Sequence, residues 1–316
     1  MRPSFLADKM RAFVFPGQGS QYCGMGKEVA GAYEKAGGVF HCADETLGFA
    51  LSRVCFEGPE ERLRMTEVTQ PAVLTTSVAL LRVLEDRVPK PDFVAGHSLG
   101  EYSALVAAGA LRFEDAVRLV AQRGRFMQEA VPEGEGSMAA VIGLKLSQIR
   151  DICREAAQGR VVSPANINSA DQVVISGHLD AVERAARLAS SRGARRVQPL
   201  PVSAPFHCSL MDPAARRLNA VLEKVPFADL EVPLVSNVDA REVSDGEGAR
   251  ERLVKQVSSP VLWFECVGRL VRLGVTTFVE IGPGKVLTGL IRRIAPQVQV
   301  QNIETPEQLE AYVQLC

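Results

Sequence analysis

The sequence predicts an α/β fold, in which a large unit built on a parallel sheet is interrupted by a small β-α-β-β-α-β unit. Three observations carry this. Short apolar runs ending at glycine alternate with runs of helical length and period, the rhythm of a parallel sheet covered by helices. A glycine-rich acidic joint, "VPEGEGS" (131–137), marks where that rhythm changes. The chain has 316 residues, 47% of them hydrophobic, which suits a large domain carrying a smaller insert.

Each element follows from its residues. "RAFVFPG" (11–17) reads as a buried strand stopped by Pro-Gly. "TQPAVLTTSVALLRVLED" (69–86) has helical length and period. "PDFVAGHS" (91–98) is a short apolar run ending at glycine, hence a strand. "LGEYSALVAAGAL" follows as a helix with Gly109 near its end, and 114–131 reads as another. After the joint come strand "SMAAVIGL", helix "SQIRDICREAAQ", strands "RVVSPANIN" and "DQVVISG", helix "LDAVERAARLASSRG" and strand "RRVQPLPVS". That is the ferredoxin-like order, over residues 132–203. The larger pattern, 1–131, resumes over 204–316. It closes on "TTFVEIGPGKVLTGLIRRI", again strand, turn and helix.

Composition narrows the function. Net charge is -1, with both signs scattered along the chain. There is no basic stripe for nucleic acid and no polybasic patch for a membrane surface. No apolar stretch approaches membrane-spanning length, and the first ten residues lack the apolar core of a secretory signal. The seven cysteines form no CxxC pair and are odd in number. This argues against a disulfide framework or a zinc site, and for a reducing cytoplasm.

"FVAGHSLGEYS" places Ser98 between Gly96 and Gly100, after a strand and before a helix. That is the setting of a nucleophile elbow. The turn is so tight that small residues must flank the serine. The helix N-terminus beneath it favours negative charge, and the N–H of Leu99 is the natural oxyanion donor. A packing turn is the plainer alternative. A reactive serine needs a base. His97 is adjacent, so its side chain points away from that of Ser98. His41 lies in a helical stretch and His178 inside the insert. His207 sits in "VSAPFHCSLMDP", an irregular loop where the chain returns to the large unit, and is the preferred base.

Arg123 is out of place. On the helix over 114–131, Arg118, Gln122, Arg125 and Glu129 share a polar stripe. Arg123 falls on the opposite stripe with Val120 and Met127. A buried guanidinium is costly unless paired. Its partner is either an internal Asp or Glu or a substrate carboxylate, which its planar fork can hold at two points.

Taken together, "FVFPGQGSQYCGMG", "GHSLGEYSALVAAGAL", "RGRFMQEAVPEGEGSMAAV", "ANINSADQVVISG", "VSAPFHCSLM", "KQVSSPVLW" and "EIGPGKVL" resemble, in this order, the malonyl-CoA:acyl carrier protein transacylase family. The resemblance runs from about Ala12 to Ile294. It implies an α/β-hydrolase-like large domain with a ferredoxin-like insert. It implies Ser98 as nucleophile and His207 as base, oriented by the backbone carbonyl of Gln256. It implies oxyanion N–H groups from Gln18 and Leu99, and Arg123 as the partner of the malonyl carboxylate. Met127 and Phe206 are expected beside the substrate. Phenylalanine before the histidine resembles malonyl-selecting domains of polyketide synthases, whereas some stand-alone members carry a small residue there. The implied partners are malonyl-CoA and an acyl carrier protein, with no cofactor or metal. The alternatives are a polyketide-pathway malonyl acyltransferase acting in trans, a serine thioesterase or other hydrolase, and a catalytically idle docking domain.

Overall fold

The computed structural model describes residues 10–202 and 204–316. Ser203, expected to close the insert, and residues 1–9 lie outside the described residues. Among the described residues there are ten strands: β1 Met10–Phe15, β2 Phe93–Gly96, β3 Gly136–Ile142, β4 Val162–Ser169, β5 Gln172–His178, β6 Arg196–Pro199, β7 Leu234–Val235, β8 Glu242–Val243, β9 Val275–Ile281 and β10 Gln299–Ile303. They make a six-stranded sheet in the order β10-β9-β1-β2-β7-β8 and a four-stranded sheet in the order β4-β5-β3-β6.

In the larger sheet every pairing is parallel except that of the edge strand β8. β1 and β2 are short continuous apolar runs because helices cover both faces of the sheet. Ala12, Phe13, Val14, Phe15, Val94 and Ala95 are all buried. Phe15 pairs with Gly96, so β1 and β2 end side by side. β7 lies on the other flank of β2, with Leu234 opposite Val94. Three carboxyl ends thus open onto one crevice, the position where parallel sheets bind ligands.

The smaller sheet is antiparallel throughout. One face packs on helices Leu146–Ala157 and Leu179–Ser191 through Ile149, Ile152, Val173 and Ala185. The other face sends Met138, Ala165 and Val174 into the core of the larger unit. The backbone also ties the smaller sheet to a loop of the larger unit. The N–H of Val261 donates to the carbonyl of Ala165 (2.8 Å), and the N–H of Ile167 donates to that of Val261 (2.9 Å).

Candidate active site

The elbow forms because two positions admit nothing but glycine. A Cβ on Gly96 would lie 1.9 Å from the carbonyl carbon of Gly100, and one on Gly100 would lie 2.0 Å from the carbonyl oxygen of Phe15. Strand end and helix start therefore touch backbone to backbone. Ser98, between them, takes a φ of 51°, a left-handed conformation strained for a side chain of its kind. Asn237, just past β7, clamps the turn. Its Oδ1 accepts from the N–H of Ser98 (2.7 Å), and its Nδ2 donates to the carbonyl of Gly96 (2.7 Å).

His207 meets the serine from another segment. Its Nε2 lies 2.8 Å from Ser98 Oγ, and its Nδ1 lies 2.8 Å from the backbone carbonyl of Gln256. A carbonyl only accepts, so Nδ1 carries the proton and Nε2 is left to accept from the hydroxyl. His207 itself has a φ of 60° and is buried. Burial first, then the charge of Arg123, pushes its pKa down to about 3, so the ring is neutral. His97 does not bond to Ser98. Its Nε2 lies 2.9 Å from Asn168 Oδ1 on β4. His41 is exposed beside Glu45, and His178 Nδ1 accepts from the N–H of Val161.

Arg123 is 1% exposed. The internal Asp or Glu alternative is not what pairs with it: its partners within the chain are amides and the serine. Nη1 donates to Gln70 Oε1 (2.9 Å), and Nη2 donates to Gln256 Oε1 (2.9 Å) and to Ser98 Oγ (3.0 Å). No carboxylate forms an ion pair with it among the described residues, and its Nε has no hydrogen-bond partner. The guanidinium lies over the Tyr102 ring at 5.6 Å. Burial lowers its pKa from the usual arginine value. This buried cation beside a serine hydroxyl makes its hydrogen bonds to neutral groups only.

The cleft above Ser98 has room for about 90 Å³ and is lined by Gln18, Met127, Met138, Asn166, Phe206 and His207 among others. Gln18 follows β1, so its backbone lies beside the elbow. The backbone N–H groups of Gln18 and Leu99 have no acceptor among the described residues. No cluster of three or more metal-ligating side chains occurs among the described residues. A larger cavity, about 410 Å³, is lined by Leu81, Pro91, Gly109 and Glu231, none of which lines the serine cleft.

Sequence reasoning named Ser98, His207, Arg123, Gln18, Leu99, Met127, Phe206 and Gln256, and the fold gathers all of them. It missed Gln70, Asn168 and Asn237. Gln70 had a signal like that of Arg123: it sits among Val68, Val73 and Leu74 on a helix buried almost all round. Asn237 had none, because it follows a strand of two residues.

Comparison with known proteins points the same way. Residues 12–309 match the family model described as acyl transferase domain. The malonyl CoA-acyl carrier protein transacylase of Escherichia coli K12 is 50% identical over 96% of this chain and 99% of its own length. That of Bacillus subtilis is 49% identical over 96% of each. The Coxiella burnetii transacylase structure superposes with a TM-score of 0.96 at 46% identity, covering 98% of this chain and 99% of that one. A malonyl-transacylase solved with a type II PKS acyl-carrier protein gives 0.95 at 46% identity, covering 97% and 100%.

Proposed function

The chain belongs to the acyl transferase domain family, and from that premise we propose that it moves a malonyl group from malonyl-CoA to an acyl carrier protein through a malonyl-serine ester. The protein is an acyltransferase. The observation that carries the route is the Ser98–His207 contact with Arg123 on the same hydroxyl.

His207 Nε2 takes the hydroxyl proton of Ser98 as Oγ attacks the thioester carbonyl. Charge collects on the carbonyl oxygen, and the N–H groups of Gln18 and Leu99 are the donors placed for it. Collapse breaks the C–S bond. His207 returns its proton to the departing sulfur, CoA leaves as a thiol and the ester remains. The phosphopantetheine thiol of the carrier then gives its proton to His207 and attacks the ester; as the C–O bond breaks, His207 passes that proton to Oγ, and Ser98 and neutral His207 are restored. Bonds made and broken match, so neither redox partner nor metal is required. The malonyl carboxylate pairs with Arg123. Burial first, and then the Arg123 charge, hold His207 far down the pKa scale in the empty site; the pairing offsets the second of these and so makes His207 a stronger base when the right substrate arrives. Phe206 stands beside His207 where the α-carbon must lie and disfavours an α-methyl.

The division into 1–131 with 204–316 and an inserted 132–203 is part of the same reading. So is a cytoplasmic setting, supported by seven free cysteines and by the absence, among the described residues, of a helix long and apolar enough to cross a membrane. We assign the reaction to fatty acid synthesis. Phe206 and the carrier-bound polyketide-system neighbour favour polyketide synthesis as the second reading.

Incubation with malonyl-CoA, with and without holo carrier protein, tests the activity. Intact-mass spectrometry should find a malonyl adduct on the Ser98 peptide, absent in Ser98→Ala, and carrier acylation on adding the carrier. Hydrolysis of malonyl-CoA with no carrier acylation would mean a thioesterase, and no adduct at all an idle domain.

A further inference from the structure

One buried ionisable group has no part in this chemistry. Glu101 stands on the first turn of helix Gly100–Ala107, directly after the elbow, and is fully buried. Its Oε2 accepts from Gln256 Nε2 at 2.6 Å and from the N–H of Asn237 at 3.3 Å, while Oε1 has no partner. The other end of the same Gln256 amide accepts from Arg123 Nη2 at 2.9 Å. Carboxyl and guanidinium are thus joined through one amide, without touching.

This arrangement has two physical consequences. An ionised carboxyl only accepts, so it turns Nε2 of Gln256 toward itself and Oε1 toward Arg123. The flipped amide would point donors at donors. A buried cation also needs counter-charge, and among the groups facing Glu101 only Arg123 is cationic. The others are Tyr102 on its own helix, Ser236 and Asn237 after β7, Gln256, and Cys266 on helix Trp263–Arg272. On the reading that Arg123 receives the malonyl carboxylate, we propose that Glu101 is a positioning residue that sets acyl selectivity. Through the Gln256 amide it holds the guanidinium and supplies the counter-charge that a malonyl carboxylate must displace.

The sign of the effect follows. Protonated Glu101 leaves Arg123 uncompensated, so malonyl binds more strongly. Ionised Glu101 competes with the substrate carboxylate. Burial pushes the Glu101 carboxyl up to about 7. Tyr102 is pushed up to about 12 and Cys266 well above its usual range, so neither titrates there. Preference for malonyl should therefore fall as pH rises through about 7. By reciprocity, malonyl binding favours protonation of Glu101.

Malonyl-pantetheine and acetyl-pantetheine serve as probes, because they lack the titrating phosphates of CoA. For the wild type, the malonyl-to-acetyl ratio of kcat/KM should fall about tenfold between about pH 6 and pH 8.5. The loss should lie mainly in KM for malonyl-pantetheine. Glu101→Gln keeps an acceptor for Gln256 but no charge, so its ratio should stay at the low-pH level throughout. A flat wild-type ratio overturns the proposal, whether or not the variant folds. A variant that keeps the wild-type slope overturns it too, as does one that slows both acyl groups alike at every pH. If the wild type forms no ester on Ser98 with either thioester, the activity reading falls and this proposal with it. An ester that forms with a flat ratio removes only the role of Glu101.

Discussion

Arg123 is bound by two amides and a hydroxyl, and that choice of partners decides what its loss will do. No internal ion pair would be broken by Arg123→Ala. Malonyl transfer should fall by a factor equivalent to about 2–5 kcal/mol, the typical cost of losing a buried charged contact. Acetyl transfer should suffer far less, and the melting temperature should hold, because Glu101, left without its cation, takes up a proton and no buried charge is stranded. Arg123→Lys should restore malonyl transfer only in part, since an ammonium lacks the planar fork. Specificity constants for both thioesters, beside a melting curve, check this. Equal losses with a lowered melting temperature would make Arg123 a core residue. His207 gives a second expectation at this scale. Burial and the Arg123 charge push its pKa down to about 3. The neutral, proton-accepting ring therefore persists well into acid. Acylation of Ser98 by acetyl-pantetheine should hold nearly constant from about pH 8 to about pH 5. An acid limb near the ordinary histidine value of about 6.5 would contradict it. His207→Ala should slow acylation about 10²–10⁴-fold, and His97→Ala much less. The sequence offered these residues unequally. Ser98 and Arg123 break local patterns and so announce themselves, whereas His207 could be chosen only by elimination. Its geometry depends on a carbonyl 49 positions away in sequence, which no local pattern encodes.

At the scale of the element, the elbow is a contact between strand and helix backbones, and its glycines are there for space. Gly100→Ala would drive a Cβ to 2.0 Å from the Phe15 carbonyl oxygen, which belongs to β1 and cannot step aside. Overpacking of this kind costs about 1–3 kcal/mol. For a chain of this size that is a drop of several degrees in melting temperature, and acylation should vanish with the altered turn. Gly289→Ala is the control. It lies inside helix Val286–Ile294, and a Cβ added there would meet nothing within 4 Å, so alanine should be neutral or stabilise by up to about 1 kcal/mol. Thermal melts and the yield of acyl-enzyme read both variants. A Gly100→Ala protein that acylates normally would show that the elbow tolerates a side chain. Element boundaries were legible where glycine stops a run, as at Gly96. They were less so around Pro71. Helical length and period place a helix over 69–86, but the helix runs Thr66–Leu84 and carries Pro71 inside. Tertiary packing decides this case, since nearly the whole of that helix is buried.

The whole molecule places its chemistry where two sheets meet, and neither sheet completes the site alone. The larger one brings Ser98, Gln18 and Asn237 to the carboxyl ends of β1, β2 and β7. The smaller one supplies Met138 and Asn166 as the opposite wall. The sequence showed both units, because each has its own period. It did not show how they dock, because that depends on single contacts between distant residues. One of these is the 2.9 Å contact of Asn168 on β4 with His97, the residue before the nucleophile. It joins the small sheet directly to the elbow. Asn168→Ala removes it and leaves both backbone bonds between Val261 and β4 in place. A neutral hydrogen bond contributes about 0.5–1.5 kcal/mol, so the melting temperature should fall by only a few degrees. The rate should fall further than that figure suggests. A reacting group displaced by about 1 Å can lose on the order of 10²-fold, and the lost contact bears on the turn that aims Ser98. We expect a loss of about tenfold in the acylation rate, alike for malonyl and acetyl thioesters because Arg123 is untouched. Rapid-quench measurement of acyl-enzyme formation, beside a melting curve, separates the two effects. A lowered melting temperature with an unchanged rate for both thioesters would make the contact purely structural, and the elbow would then be held by the larger sheet alone.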